Sequence, residues 1–92
     1  MKLTIGKEIY KFEEIIFDKY YLQSRFYPNP EDKIVKFKKG TNTSFFRMSW
    51  TLEGKYAGRT INVNSKEVPF EYNKFYDIIN QDEVSILLEL LK

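Results

Sequence analysis

The chain has 92 residues, 42% of them hydrophobic and 17% aromatic, with a formal net charge of +2. That length suits one domain around one core, and that composition excludes a disordered chain. Cysteine and histidine are both absent, which excludes disulfides, thiolate nucleophiles, zinc–thiolate sites and the commonest general base.

In chain order, residues 1–7 contain no apolar run of the kind a signal peptide needs. Ile15-Ile16-Phe17 and Ile86-Leu87-Leu88 are far shorter than the roughly 20 residues that cross a bilayer. A cytoplasmic chain with no membrane partner is expected. Residues 2–5 are expected to pair as an edge strand. Between residues 6 and 18, Ile9, Phe12 and Ile16 have helical spacing, while Tyr10, Phe12, Glu14 and Ile16 alternate. The β-branched and aromatic content there favours extended structure.

Next, Tyr20, Leu22 and Phe26 alternate with Tyr21, Gln23, Arg25 and Tyr27, the pattern of a strand. Pro28-Asn29-Pro30-Glu31-Asp32 is turn chemistry, and Lys33 to Lys39 reads as a second strand ending in a Gly40–Thr43 loop. Phe46, Met48, Trp50 and Leu52 alternate with Phe45, Arg47, Ser49 and Thr51 in a third strand. After a turn over residues 53–58, Ile61 and Val63 face one way in a fourth, with Thr60, Asn62 and Asn64 facing the other.

Pro69 then suits a first helical turn, and Tyr72, Phe75, Tyr76 and Ile79 fall at i, i+3, i+4 and i+7. Asn80-Gln81 interrupts the stripe, Asp82 is a good N-cap, and Val84, Leu87, Leu88 and Leu91 repeat the spacing. Two short helices, 69–80 and 82–91, are predicted. The fold class is α+β: one domain over residues 1–92, with an antiparallel meander of about four to five strands packed on one face by two C-terminal helices. The face carrying Phe46, Met48, Trp50 and Leu52 is the expected partner of both helices.

Few parts of this chain can carry covalent chemistry. Without histidine or cysteine there is no triad, and Gly6, Gly40, Gly54 and Gly58 lie too far apart for a phosphate-cradling loop. Pro30-Glu31-Asp32 followed by Glu53-Gly54-Lys55 resembles the proline-acid, acid-x-lysine spacing of restriction-type endonucleases. In those enzymes two carboxylates hold a divalent metal and a lysine steadies the attacking water. A chain with 13 acids and 12 lysines makes such spacings by chance, and Glu31-x-Lys33 is a second instance. Both acids also fall in predicted turns, where solvated side chains are the simpler reading. No catalytic residue, metal or cofactor is assigned.

Charge is more informative. Residues 1–28 carry five bases and four acids, residues 29–66 eight and three, and residues 67–92 two and six. The net +2 is therefore the sum of +1, +5 and −4, with the positive block on predicted strands and the negative block on predicted helices. If Tyr20, Leu22, Phe26, Val35, Phe37, Phe46, Met48, Trp50, Ile61 and Val63 face the helices, the opposite face is set by alternation. It shows Tyr21, Arg25, Tyr27, Lys36, Lys38, Phe45, Arg47, Thr60 and Asn62. Rings interleaved with cations suit a protein hot spot or stacked bases and phosphates.

The expected function is a small non-catalytic interaction module, whose partner presents an acidic or nucleic-acid-binding surface. Lys, Ile, Asn, Phe and Tyr make up 42 of the 92 residues, an AT-rich codon bias. It suits a phage or mobile-element accessory protein that inhibits a host defence enzyme by occupying its surface. The alternative is binding of single-stranded DNA or RNA through the same face. A homodimer through an edge strand is also open.

Overall fold

The computed structural model describes residues 2–25, 33–52 and 57–91. Its elements are β1 (Ile5–Ile9), a 3₁₀ turn (Phe12–Glu14), β2 (Tyr20–Arg25), β3 (Lys33–Lys39), β4 (Phe46–Trp50) and β5 (Thr60–Val63), followed by α1 (Val68–Tyr72), β6 (Asn73–Ile78) and α2 (Gln81–Leu90). All six strands form one antiparallel sheet in the order β1-β6-β2-β3-β4-β5. The class is α+β, and β2 to β5 follow the expected meander.

The largest departure from expectation is β6. Residues 69–80 do not form one helix: only 69–72 are helical, α1 ends at Tyr72, Asn73 is extended (φ −133°, ψ 148°), and the chain enters the sheet between two other strands. Helical spacing of Phe75, Tyr76 and Ile79 coexists there with strand alternation, which sends Phe75 and Ile78 to opposite faces. Both are fully buried. Pairing with β1 on one side and β2 on the other gives the backbone of β6 two partners. Aromatic and β-branched side chains also fit a strand covered on both faces. The edge strand likewise lies later than residues 2–5, running from Ile5 to Ile9, and only residues 12–14 of the ambiguous 6–18 stretch are helical.

A second correction concerns the layers. Tyr21, Val35, Phe37, Met48, Trp50, Val63 and Phe75 form one apolar face with Ile9 and Phe46. It is covered by Phe12 and Ile15 of the N-terminal segment and by Phe70 of α1. Phe70 meets Phe75 edge-on, with ring centroids 5.3 Å apart. The other face buries Ile34 and Ile78 under Val84 of α2, flanked by Leu3, Tyr20, Leu22, Leu52 and Leu88. The two helices therefore sit on opposite faces rather than sharing one.

Where α2 begins, two side-chain amides take over from strand pairing. Gln81 Oε1 accepts the Tyr20 N–H at 2.9 Å, while its Nε2 donates to the carbonyls of Tyr20 (2.9 Å) and Ile78 (2.7 Å). Asn80 does the same toward the N-terminus. Its Oδ1 accepts the Thr4 N–H at 2.6 Å and its Nδ2 donates to the Lys2 carbonyl at 3.0 Å. α2 is thus fixed over β6, β2 and the start of β3, and the rest of that face stays open. Among the described residues no helix is long and apolar enough to cross a membrane.

Candidate interaction face

The open area is built by strand alternation and pairing. Ile34, Lys36 and Lys38 of β3 point to one face. Lys36 lies opposite Ser49 and Lys38 opposite Arg47 on β4. On β5, Thr60 pairs with Ser49 and Asn62 with Arg47. Six polar side chains from three strands therefore form one shelf on the same face as α2, beyond the helix. The Ser49 and Thr60 hydroxyls are hydrogen-bonded at 2.9 Å. Lys36 Nζ stands 4.4 Å from the Tyr20 ring centroid, a cation–π contact at the border between helix and shelf.

Lys38, Arg47, Thr60 and Asn62 are exposed. Among the described residues no carboxylate pairs with Lys36, Lys38 or Arg47. Two cations directly opposite each other on adjacent strands repel. The shelf thus holds concentrated positive charge with hydroxyl and carboxamide groups beside it. Such a surface can bind carboxylates or phosphates reversibly.

Five residues of the expected face come together here: Lys36, Lys38, Arg47, Thr60 and Asn62. The others do not join them. Tyr21 is on the opposite face and only 1% exposed, because its partners across the sheet are Val35 and Asp77. Expectation had aligned Tyr20 and Leu22 with Val35 and Phe37, and the true register is one residue away. β2 carries a tyrosine toward each face and is covered on both, Tyr21 by one core and Tyr20 and Leu22 by the other, so alternation alone does not choose between the two registers.

The Tyr21 hydroxyl accepts the Ile16 N–H at 2.9 Å. Burial pushes its phenol pKa above the ordinary tyrosine range, and the Ile16 N–H and nearby Lys19 oppose that rise only in part. Lys19 is 5.6 Å from the Tyr21 ring centroid and forms an ion pair with Asp77 at 2.5 Å.

Phe45 turns away from the shelf to pack edge-on against Phe12 at 5.2 Å, with the Lys66 ammonium 5.1 Å from its ring centroid. Tyr27 lies outside the described residues, as do Phe26, Pro30, Glu31, Asp32 and the Glu53-Gly54-Lys55 stretch of the endonuclease-like spacing.

Arg25 is on the Tyr21 face, at a pocket of about 270 Å³ lined also by Gln23, Lys33, Met48, Trp50, Arg59, Ile61 and Asn73. Gln23 is 4% exposed. It accepts the Trp50 indole N–H at 2.6 Å and donates to Asn73 Oδ1 at 2.8 Å, linking β4, β2 and β6 across the buried face. Two residues at the shelf escaped the sequence reading. Ser49 has the same parity as Arg47 and could have been placed on the shelf. Tyr20 could not, since its face depended on the register of β2.

No protein-family model matches the chain, and no curated protein or solved structure is significantly similar to it. Among the described residues there is no group of three or more acidic side chains placed to hold a metal ion.

Proposed function

We propose that this chain is a non-catalytic interaction module whose β3–β4–β5 shelf docks onto an acidic surface of a macromolecular partner. The observation that carries this reading is the exposed Lys38–Arg47 cross-strand pair, with Lys36 beside it and no carboxylate answering them among the described residues. Repulsion within the pair weakens the free fold, and an acidic partner relieves it. Nucleic-acid-binding surfaces are themselves basic, so of the two expected partner types only the acidic one complements the shelf. The AT-rich composition supports a phage or mobile-element accessory role, with the shelf occupying an acidic patch on a host enzyme.

Direct binding of single-stranded nucleic acid is less well supported. Base stacking needs exposed rings among the cations. Among the described residues Tyr21 is buried and Phe45 sits in another cluster, while Tyr20 is the one ring at the border of the shelf.

Polyglutamate and a single-stranded oligonucleotide, titrated at low and high salt, test the proposal. Expected is salt-sensitive binding of polyglutamate that Lys38→Ala with Arg47→Ala weakens, with no loss of melting temperature. Oligonucleotide binding without polyglutamate binding would replace the acidic-surface reading with the nucleic-acid one.

A further inference from the structure

We infer that the acidic partner of the shelf is helix α2 of a second copy of this chain, the two copies meeting face to face as a twofold dimer. This rests on the reading of the shelf as an acid-binding surface. The same face of the molecule carries both halves of the contact, α2 as a ridge and the shelf beside it.

The dimensions agree. From β3 to β5 the shelf is about 10 Å wide, and its central five-residue strand is about 17 Å long. A ten-residue helix such as α2 is about 15 Å long and roughly 10–12 Å across. The charges agree as well. Residues 81–90 include Asp82, Glu83 and Glu89 and no base, whereas the shelf offers Lys36, Lys38 and Arg47 and no acid.

α2 also shows apolar surface that its own sheet does not cover. Val84 is buried, but Ile86 and Leu90, one helical turn apart, are 52% and 70% exposed. Laid on a shelf walled by the partner's own α2, they would contact that helix and the aliphatic stems of Lys and Arg. Placing α2 of each copy on the shelf of the other satisfies both contacts at once. The interface is isologous, so it closes at two copies and does not propagate. The sheet edges suit dimerisation less: β1 has a register irregularity between Ile5 and Glu8, and β5 is only four residues long.

Sedimentation or light scattering of the full chain across protein and salt concentration tests the inference. Expected is a reversible dimer that salt weakens. Lys38→Glu with Arg47→Glu should weaken it at least about tenfold, and so should Asp82→Lys with Glu83→Lys, because each variant opposes like charges in both contacts. Mixed together, the two variants should form a one-to-one heterodimer, since both contacts are then complementary again. Lys38, Arg47 and Asp82 are exposed and Glu83 is half-buried, and circular dichroism checks that each variant is folded.

A wild-type chain that stays monomeric at high concentration overturns the inference, as does a dimer indifferent to both reversals. The underlying reading fails separately. If the chain is monomeric and Lys38→Glu with Arg47→Glu abolishes polyglutamate binding, only the second copy is excluded as the partner. If polyglutamate binding survives that reversal, the shelf itself is not an acid-binding surface.

Discussion

The carboxamide of Gln23 accepts from Trp50 and donates to Asn73, so replacing it affects partners on two other strands. Gln23→Leu keeps the volume but withdraws an acceptor and a donor from a buried site, at a cost of about 1–3 kcal/mol. The expected readout is a lower urea midpoint with an unchanged denaturant slope. Tyr21 illustrates a different single-residue effect. Its pKa is raised in the folded chain by burial, so the folded state holds the phenol proton more tightly than the unfolded state does. That stability is complete below the ordinary tyrosine pKa of about 10 and is lost as pH rises through the raised folded value. Tyr21→Phe should therefore be less stable at neutral pH, through loss of the Ile16 hydrogen bond, and should lose less stability than wild type toward alkaline pH. Melting curves from neutral to strongly alkaline pH check both statements.

At the scale of elements, α2 depends on Gln81, whose amide makes three hydrogen bonds to the ends of β2 and β6. Gln81→Ala removes them all, and a loss of about 1–3 kcal/mol is expected. Hydrogen exchange locates the effect: the Tyr20 amide and the first turn of α2 should lose protection while β4 keeps its own. This clamp was not legible in the sequence, where Asn80-Gln81 reads as a break between helices. Each residue bonds backbone 61 to 78 positions away, along with the neighbouring Ile78 in the case of Gln81. β6 was hidden for the same reason. Its partner β1 lies near the opposite end of the chain, and its apolar residues satisfy helical spacing as well as alternation. β3, β4 and β5 were legible because turn residues bound them and each pairs with its sequence neighbour. Parity therefore sufficed to gather Lys36, Lys38, Arg47, Thr60 and Asn62. It failed for Tyr21, in a strand covered on both faces, and for Phe45, which precedes β4 and follows the Phe12 cluster instead.

For the whole molecule, the +5 and −4 blocks do not separate into a basic sheet and acidic helices. Asp77 and Lys74 of the acidic block lie on a central strand, where Asp77 is neutralised by Lys19. What remains is a polarity within a single face, with Asp82 and Glu83 on α2 and Lys38 and Arg47 on the strands beyond it. This arrangement sets stability against binding. Lys38→Thr removes the like-charge repulsion with Arg47 and places a β-branched residue in a strand, both of which favour the fold. The same change removes a cation from the shelf. At concentrations low enough to keep the chain monomeric, the melting temperature should rise. The gain should shrink as salt screens the repulsion, because both side chains are exposed. Polyglutamate affinity should fall in parallel. A lower melting temperature would show that the aliphatic stem of Lys38 contributes more to packing than its charge costs, removing the physical reason to read the pair as a binding feature.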